Sequence, residues 1–471
     1  MRNNLSFCSA VASAAVLLTA LSFSNLSTAY PVDAERTGIK RLEGTNPATG
    51  AKGARKLPAG ALLSDSDIKL NLLGTEGEFW DFESTERDAE LQTALTKMFK
   101  NRSRSYSLII ADITDPANIA WAGTREDRSQ IPGSVGKAIT MLGFFSELEK
   151  AFPNVEEREF IMRIHKVTAG DWVLWDHHGI PSYNPDTNTV KSIKLKPGQT
   201  FALSEWLDFA ISNSANGAAA TIWKETVLLR HFGSSYPPSP EEEAAFFKDT
   251  SKADLWTLAS EAISEPMIKS GLDPDIFWIG SFWTRTAKGL IPGNGRSRGT
   301  PREMARFLLR LEQGRLVDHW SSLEMKKYLY TTSRRIRYVY GEELAPAAVY
   351  FKSGSLYSCR EEEGFKCGKY KGNRLNAMNS IAIIETPAAD DGQQKRYIVA
   401  LTSDVRRSIQ LGIIRALASP WTKSSKLARQ RQSSKKPPKK RQMPRADNEV
   451  ISETITGKFR ANSNNLSLIH I

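Results

Sequence analysis

The pattern of apolar and polar positions divides the chain into strand-rich ends and a helical middle. Residues 30–84 are rich in Gly, Pro, Ala and Lys and predict an exposed lead-in with little core of its own. Apolar residues at helical spacing then predict an amphipathic helix over 86–99. Two runs with strand composition follow at 107–113 and 119–123, and a short turn joins them.

A long segment from 138 to 330 is mainly helical in its pattern and contains long loops. Strand composition returns at 347–352, 379–385 and 396–403. A helix over 405–417 is predicted to close the fold. The pattern therefore places strands at both ends of the folded region and helices between them.

A Ser-x-x-Lys sequence, from Ser134 to Lys137, opens the first helix of the middle segment. Pro132 and Gly133 precede it, as turn residues do at the start of a helix. Residues three apart share a helix face, so the Ser134 hydroxyl is expected beside the Lys137 amine. A desolvated lysine can activate a serine hydroxyl as a nucleophile. A phosphate-binding loop is excluded, because Ala138 stands where that loop needs Ser or Thr.

Two polar motifs lie further along the chain. Ser214 and Asn216 provide a second hydroxyl, which could relay a proton, and an amide, which could bind a substrate carbonyl. Lys352-Ser353-Gly354 ends a predicted apolar strand, where the lysine could bind a carboxylate and the glycine would let substrate backbone approach the strand edge. Taken singly, such residues are typical of helix caps, loops and solvated strand ends. Their joint order along the chain is what favours a functional role.

The composition describes an ordinary soluble protein of 471 residues, 40% of them hydrophobic and 25% charged. The net charge of +12 is concentrated in residues 422–445, which hold ten Lys and Arg and no acid. The rest of the chain carries about +2, so a nucleic-acid-binding domain is not indicated. We predict a disordered basic tail over 421–471, which either aids solubility or contacts an anionic envelope surface.

Both chain ends carry sequence outside the predicted fold. The first 29 residues have the features of a secretory signal peptide: Arg2 at the start, an apolar run over 5–23, and small residues at 27–29. An uncleaved membrane anchor is the alternative. Export predicts a periplasmic or secreted protein. The last six residues, 466–471, resemble the translation of a sequencing adapter, so we expect the natural C-terminus to differ.

The three cysteines fit this prediction of export. Cys8 falls in the apolar N-terminal run, which leaves Cys359 and Cys367 as a pair. In an exported protein we expect these two to form one disulfide, and two free thiols are the alternative.

One loop of the middle segment contains Asp176-His177-His178. A metal site is conceivable there. Adjacent histidines on an irregular loop do not share a ligand geometry, however, and the sequence offers no third partner. We therefore predict that the protein needs no metal and no organic cofactor.

In this order, the three polar motifs resemble the signatures of the serine penicillin-recognising enzymes, most closely the class A β-lactamase-like family. The resemblance covers about residues 85–420. It implies an α/β fold of β-lactamase/transpeptidase type, with a five-stranded antiparallel sheet flanked by helices. Residues 85–137 and 331–420 would form this α/β domain, and 138–330 an inserted all-helical domain, with the site in the cleft between them.

The resemblance also implies roles for the reacting residues. Ser134 would be the nucleophile that forms an acyl-enzyme, and Lys137 its base or proton relay. Ser214 would deliver a proton to the departing nitrogen, and Lys352 would hold that proton near the leaving group.

The remaining motif residues would bind the substrate. Asn216 would hold the substrate amide, and Lys352 and Ser353 would bind its carboxylate. The backbone N–H groups of Ser134 and Ser355 would form an oxyanion hole. The loop between the two paired cysteines has no counterpart in the class A family; because it closely follows the Lys352 motif, we expect it to shape one wall of the site.

Two departures from the family pattern affect deacylation. In class A β-lactamases a glutamate lies eight residues before a Pro-Gly pair; here the pair begins at Pro292, and the position holds Thr284. The middle residue of the second motif, usually Asp, is Ala215. Without a carboxylate to activate water, hydrolysis of the acyl-enzyme should be slow. Asp273 and Asp275 are the candidates to replace it.

Three functions are therefore open. The overall pattern favours an exported serine hydrolase that opens β-lactam or related amide bonds through an acyl-serine. The missing glutamate favours a penicillin-binding D-alanyl-D-alanine carboxypeptidase that acts on peptidoglycan peptides. The third is a non-catalytic envelope protein that keeps the pocket as a binding site. In each case the expected ligand is a β-lactam or a D-Ala-D-Ala peptide, and not a nucleic acid.

Overall fold

The structure is a computed structural model, and it describes residues 34–332, 339, 341–389 and 392–408. In chain order, its strands are β1 (Ser107–Asp112), β2 (Ala120–Thr124), β3 (Lys166–Thr168), β4 (Ile180–Asn184), β5 (Thr189–Ile193), β6 (Thr200–Ala202), β7 (Ala348–Ser358), β8 (Leu375–Glu385) and β9 (Arg396–Thr402).

The α-helices of the same residues, again in chain order, are α1 (Ala34–Thr37), α2 (Arg41–Thr45), α3 (Ala89–Phe99), α4 (Lys137–Ala151), α5 (Val155–Ile164), α6 (Leu203–Ile211), α7 (Asn216–Phe232), α8 (Pro240–Asp249), α9 (Lys252–Lys269), α10 (Arg285–Leu290), α11 (Pro301–Glu312) and α12 (His319–Tyr330). None of the described helices is both long enough and apolar enough to cross a membrane.

A five-stranded antiparallel sheet is formed from both ends of the folded region, in the order β2-β1-β9-β8-β7. The predicted sheet is therefore confirmed. Successive side chains of a strand face opposite sides, and β1 is apolar on both. Ile109 and Ala111 belong to the larger core, which includes α4, α7 and α11. Leu108 and Ile110 belong to a smaller core beneath α3. The sheet thus separates two apolar layers.

Element boundaries differ from the sequence pattern where polar groups set them. Helix α3 begins at Ala89, because the Asp88 carboxylate caps it by accepting from the Leu91 N–H at 2.8 Å. Strand β7 continues past the predicted end at residue 352, because residues up to Ser358 pair with β8. Of the predicted helix 405–417, residues 405–408 are not helical and include a turn at 406–407, and the rest lies outside the described residues.

The segment 138–330 is mainly helical, as predicted, but the expected all-helical inserted domain is not confirmed. It also contains two small two-stranded sheets, β3 with β6 and β4 with β5. Helices α11 and α12 lie against the large sheet, with α11 on β1 and β9 and α12 on β7. These helices carry apolar residues that complete the core over the sheet.

The stretch 34–84 differs from the expected exposed lead-in. Ile39, Leu42, Ile68 and Leu72 are fully buried in the larger core. They are spaced irregularly among Gly, Pro and Lys, so neither helical nor strand periodicity indicates their burial. The predicted signal peptide and the basic tail lie outside the described residues.

A buried ion pair ties this stretch to the middle of the fold. Arg41 and Asp208 are both buried, and Arg41 Nη2 donates to Asp208 Oδ1 at 2.6 Å. The same nitrogen donates to Ser212 Oγ at 3.0 Å and to the Thr331 carbonyl at 2.9 Å. Removing one partner of a buried pair leaves the other charge without compensation.

We predict that Arg41→Leu lowers the free energy of unfolding by about 3–5 kcal/mol, because it strands the Asp208 carboxylate in the core. Urea unfolding followed by circular dichroism measures the change. Arg406→Leu is the control, since Arg406 is 56% exposed in its pair with Asp404 and its loss should cost about 0–1 kcal/mol. Equal effects of the two substitutions would contradict the prediction.

Candidate active site

The first motif lies in a single 3-10 turn, Gly133–Gly136, that leads into α4. Gly133 has φ +55°, a left-handed conformation that glycine adopts without strain. Helix α4 is almost wholly buried, including Ile139, Leu142 and Phe145. Ser134 itself is half-buried. The serine is therefore held by a rigid, buried helix yet stays within reach of a ligand.

The amine of Lys137 joins two of the predicted motifs. The residue is 1% exposed. Its Nζ lies 3.0 Å from Ser134 Oγ, and it donates to Asn216 Oδ1 and to the Ser214 carbonyl, each at 2.7 Å. The structure thus brings Ser134, Lys137, Ser214 and Asn216 to one place.

Burial lowers the pKa of Lys137 to about 7, although the nearby Asp176 carboxylate acts in the opposite direction. The ring face of Trp283 lies 4.8 Å from Nζ and covers the amine. At neutral pH a large fraction of this lysine is therefore uncharged. A neutral amine at 3.0 Å from a hydroxyl can take its proton.

Ser214 bridges the two lysines of the site. It precedes α7 with φ +58°, a left-handed conformation that is uncommon for serine. Its Oγ accepts from Lys352 Nζ at 2.8 Å and lies 3.5 Å from Lys137 Nζ. Lys352 is buried and also donates to the Ser353 carbonyl at 3.0 Å. A hydroxyl between two amines can pass a proton from one side to the other.

The edge strand β7 passes directly against the turn that holds Ser134. A Cβ added at Gly354 would lie 2.4 Å from the Pro132 carbonyl oxygen and 2.9 Å from the Ser134 nitrogen. A Cβ at Gly133 would lie 3.1 Å from the Ser355 nitrogen. The predicted pair of backbone N–H groups, from Ser134 and Ser355, therefore lies at one point of close backbone approach. Such a pair suits a developing oxyanion.

Thr284 caps a helix rather than activating water. It is buried, and its Oγ1 donates to the Trp172 carbonyl at 2.9 Å and accepts from the Ala287 N–H at 3.1 Å, at the start of α10. Its neighbour Trp283 is the residue that reaches Lys137. This position therefore supplies no base for deacylation.

The two other aspartates named as replacements lie elsewhere. Asp275 has a 96% exposed side chain and pairs with Arg298. Asp273 accepts the Asp275 N–H at 2.7 Å. In the described part of the chain neither carboxylate hydrogen-bonds to Ser134 or Lys137.

The sequence singled out the loop with Asp176, His177 and His178 only as a conceivable metal site, and did not predict that it lies beside the reacting residues. Asp176 Oδ2 accepts the Gly217 N–H at 2.8 Å, which fixes the loop at the start of α7. The ligand atoms of Asp176, His177 and His178 lie within 4.8 Å of one another, so the expectation that these neighbours share no ligand geometry does not hold. Both Asp176 oxygens accept hydrogen bonds that hold the loop in place. The adjacency of these residues is the only signal that the sequence offers.

Cys359 and Cys367 form a disulfide in the loop that follows β7. The predicted pairing is therefore confirmed. The loop belongs to the same hairpin as the Lys352 motif, because β7 continues into it and β8 leaves it.

Comparison with known proteins gives only distant matches. No protein-family model matches the chain, and no curated protein matches it. It is similar to solved β-lactamases from Sphaerobacter thermophilus (14% identity, 70% of this chain and 96% of that one, TM-score 0.42) and Chitinophaga pinensis (14%, 71% and 98%, 0.43). It is similar to a mutant of PBP-A, solved as an acyl-enzyme with penicillin G (14%, 73% and 98%, 0.42). TM-scores below 0.5 carry no weight, so the assignment of a function depends on the side-chain geometry.

We predict that Ser134 reacts with phenylmethylsulfonyl fluoride at a rate that rises with pH through a midpoint of about 7, because the Lys137 amine must be neutral to accept the proton. Intact-protein mass spectrometry over pH 5.5–8.5 measures the rate. Ser134→Ala should show no labelling, and Lys137→Arg should label slowly at every pH. A rate independent of pH in the wild type would contradict the role of Lys137.

We predict that Gly354→Ala lowers the same labelling rate by about 10²-fold, because its Cβ must displace β7 from the turn at Ser134. Gly368→Ala is the matched control in the same hairpin, since its Cβ would meet only Lys371 Cβ at 3.9 Å. Labelling of both variants at the wild-type rate would show that the close approach is not needed.

Proposed function

We propose that this protein is a serine acyl hydrolase that resembles the class A β-lactamases in fold and site. It opens β-lactam or related amide bonds through an acyl-enzyme on Ser134. One observation carries the proposal: the Lys137 amine, buried and lowered in pKa to about 7, lies 3.0 Å from the Ser134 hydroxyl. A serine becomes nucleophilic when such a base adjoins it.

Acylation uses the atoms that meet at this amine. Lys137 Nζ takes the proton from Ser134, and Oγ attacks the carbonyl carbon of the amide. The negative oxygen that forms is stabilised by the backbone N–H groups of Ser134 and Ser355. When the carbon–nitrogen bond breaks, the Ser214 hydroxyl gives its proton to the departing nitrogen. It regains one from the neighbouring lysines, which lie 2.8 and 3.5 Å away.

The substrate would lie along the free edge of β7. Lys352 and Ser353 offer an amine and a hydroxyl for a substrate carboxylate. Asn216 uses Oδ1 to accept from Lys137, so its amide nitrogen is the group that can donate to a substrate carbonyl. These assignments fit either a β-lactam or a peptide that ends in D-Ala-D-Ala.

A second function, D-alanyl-D-alanine carboxypeptidase, is favoured by Thr284. Its hydroxyl is committed to capping α10, and this position holds no carboxylate such as the family's glutamate. A binding protein without turnover is the third function. The export signal and the contact of the basic tail with an anionic envelope stay predictions in all three.

We predict that benzylpenicillin forms a covalent adduct on the wild-type protein and none on Ser134→Ala, because only an activated serine can open the ring. Intact-protein mass spectrometry, sampled over time, follows the adduct, and chromatography follows ring-opened penicillin.

The outcomes separate the three functions. A transient adduct with accumulating ring-opened product indicates a β-lactamase. A long-lived adduct, with release of D-alanine from a D-Ala-D-Ala peptide, indicates the carboxypeptidase. No adduct and no product, with binding retained in Ser134→Ala, would overturn both catalytic proposals and leave the binding protein.

A further inference from the structure

Asp176 and His178 form a hydrogen-bonded pair at the edge of the site. Asp176 is only 3% exposed through its side chain, and its Oδ1 accepts from His178 Nδ1 at 2.7 Å and from the His178 backbone N–H at 2.9 Å. Its Oδ2 accepts from the Gly217 N–H at 2.8 Å. The carboxylate is therefore fully engaged in holding the imidazole and in joining the loop to α7.

We propose that His178, oriented by Asp176, is the general base that activates water to hydrolyse the acyl-enzyme on Ser134. The inference rests on the proposed function and adds to it the base that Thr284 does not supply. His178 is then a catalytic residue, because it touches the attacking water, and Asp176 is a positioning residue that acts through it.

The position of the pair follows from a short chain of contacts. Gly217, bonded to Asp176, is the next residue after Asn216, which accepts from Lys137 Nζ at 2.7 Å. Lys137 in turn lies 3.0 Å from Ser134 Oγ. Burial does most to lower the pKa of both Lys137 and His178; Lys137 lowers that of His178 further, and Asp176 opposes the fall at Lys137. The chain of hydrogen bonds therefore places the Asp176–His178 pair next to the residues that hold the Lys137 amine.

The protonation state of the pair suits a base. Burial alone raises the pKa of Asp176, but hydrogen bonds and charge from His178 and the Gly217 N–H lower it to about 2, so the group is ionised. An ionised carboxylate only accepts, so the proton of a neutral imidazole lies on Nδ1. Nε2 then carries the lone pair, and among the described residues it has no hydrogen-bond partner. Because 23% of the side chain is exposed, water can reach the imidazole ring.

Burial, more than the surrounding charges, lowers the pKa of His178. Lys137 and His177 lower it further, while the Asp176 hydrogen bond and charge raise it. Lys194 faces the same loop, with Nζ donating to the His178 carbonyl at 3.2 Å. The net direction is downward, so the free base dominates above the ordinary histidine pKa.

The backbone conformation of this loop is typical of a functional site. Trp175 has φ +66°, which is a strained conformation for a bulky residue, and its side chain is 75% exposed with the Arg285 guanidinium 6.0 Å from the ring. Strained backbone of this kind is concentrated at functional sites. Here it lies immediately before Asp176, in the loop whose carboxylate bonds to the start of α7.

The proposed step balances. His178 Nε2 takes one proton from water as the water oxygen attacks the acyl carbonyl carbon. The carbon–Oγ bond of Ser134 then breaks, and the Lys137 amine relays to Oγ a proton that replaces the one His178 removed from water. His178 gives its proton back by way of solvent, so the products are a carboxylic acid and the free serine, and both bases are again neutral.

The test separates acylation from deacylation. Each protein is acylated with benzylpenicillin, excess penicillin is removed, and loss of the adduct is followed by intact-protein mass spectrometry over pH 5–8.5. The variants are His178→Asn and Asp176→Asn. His177→Asn is the matched control, because the neighbouring imidazole has no side-chain hydrogen bond in the described residues. Urea midpoints equal to the wild type confirm folding, and EDTA is added in a parallel series.

We expect acylation to change less than about threefold in His178→Asn and deacylation to fall on the order of 10²-fold, the lower end of general-base effects. The wild-type deacylation rate should rise with pH and level off, with a midpoint below the ordinary histidine pKa, and the variant should lose this rise. Asp176→Asn should slow deacylation and shift the midpoint. His177→Asn should keep the plateau rate, and its midpoint should move only upward, because it removes a charge that lowers the pKa of His178.

Other outcomes overturn the inference in distinguishable ways. An adduct on Ser134 that is hydrolysed equally fast in His178→Asn, or that is never hydrolysed in the wild type, defeats the role of His178 but leaves the proposed function standing. Loss of wild-type deacylation with EDTA would replace the base with a metal. Absence of any adduct on Ser134 would defeat the proposed function and the inference together.

Discussion

The burial of one amine determines how the site is arranged. Lys137 is enclosed by α4, by the start of α7 and by Trp283, and it donates to two oxygens of the second motif at 2.7 Å. Its pKa falls from 10.5 to about 7 in the folded protein. Between these two values the unfolded chain binds a proton that the folded chain does not, so this group's contribution to stability rises with pH across that window. Near pH 7 the free energy of unfolding is therefore lower than it would be if Lys137 kept its ordinary pKa, and the amine is uncharged in return.

This loss of stability is offset by packing that is independent of the lysine. Helix α4 is anchored by its apolar residues in the larger core, and β7 is anchored by its ladder with β8. The two meet where Gly354 lies against the Ser134 turn, with no room for a side chain. Asn379 of β8 reinforces the contact by donating from Nδ2 to the Ile131 carbonyl at 2.7 Å. A strand from the end of the folded region is thereby fixed against a helix that lies much earlier in the chain.

Much of this arrangement could be predicted from sequence, for physical reasons. Ser134 and Lys137 are three residues apart at a helix start, so helical geometry alone joins them. The segments at both ends of the folded region have strand composition, and both contribute strands to the five-stranded sheet. The sequence shows Asp176 and His178 as near neighbours but not their place beside the site, because the hydrogen bond that fixes their loop comes from the Gly217 N–H, 41 positions further along. The local sequence pattern does not indicate the burial of Arg41 either, because Asp208 and Thr331, to which it donates, lie more than 160 positions away.

The same physics gives the two proposed bases different roles. Lys137 is enclosed, so it can serve a hydroxyl already at 3.0 Å but cannot easily admit water. His178 is partly exposed and held through Nδ1, so its other nitrogen is left to accept a proton. Acylation needs an enclosed base, because its nucleophile is a hydroxyl of the protein. Hydrolysis needs a base that water can reach, because its nucleophile comes from solvent. A chain with threonine at position 284 can therefore still complete turnover, provided that a base of the second kind lies on another loop.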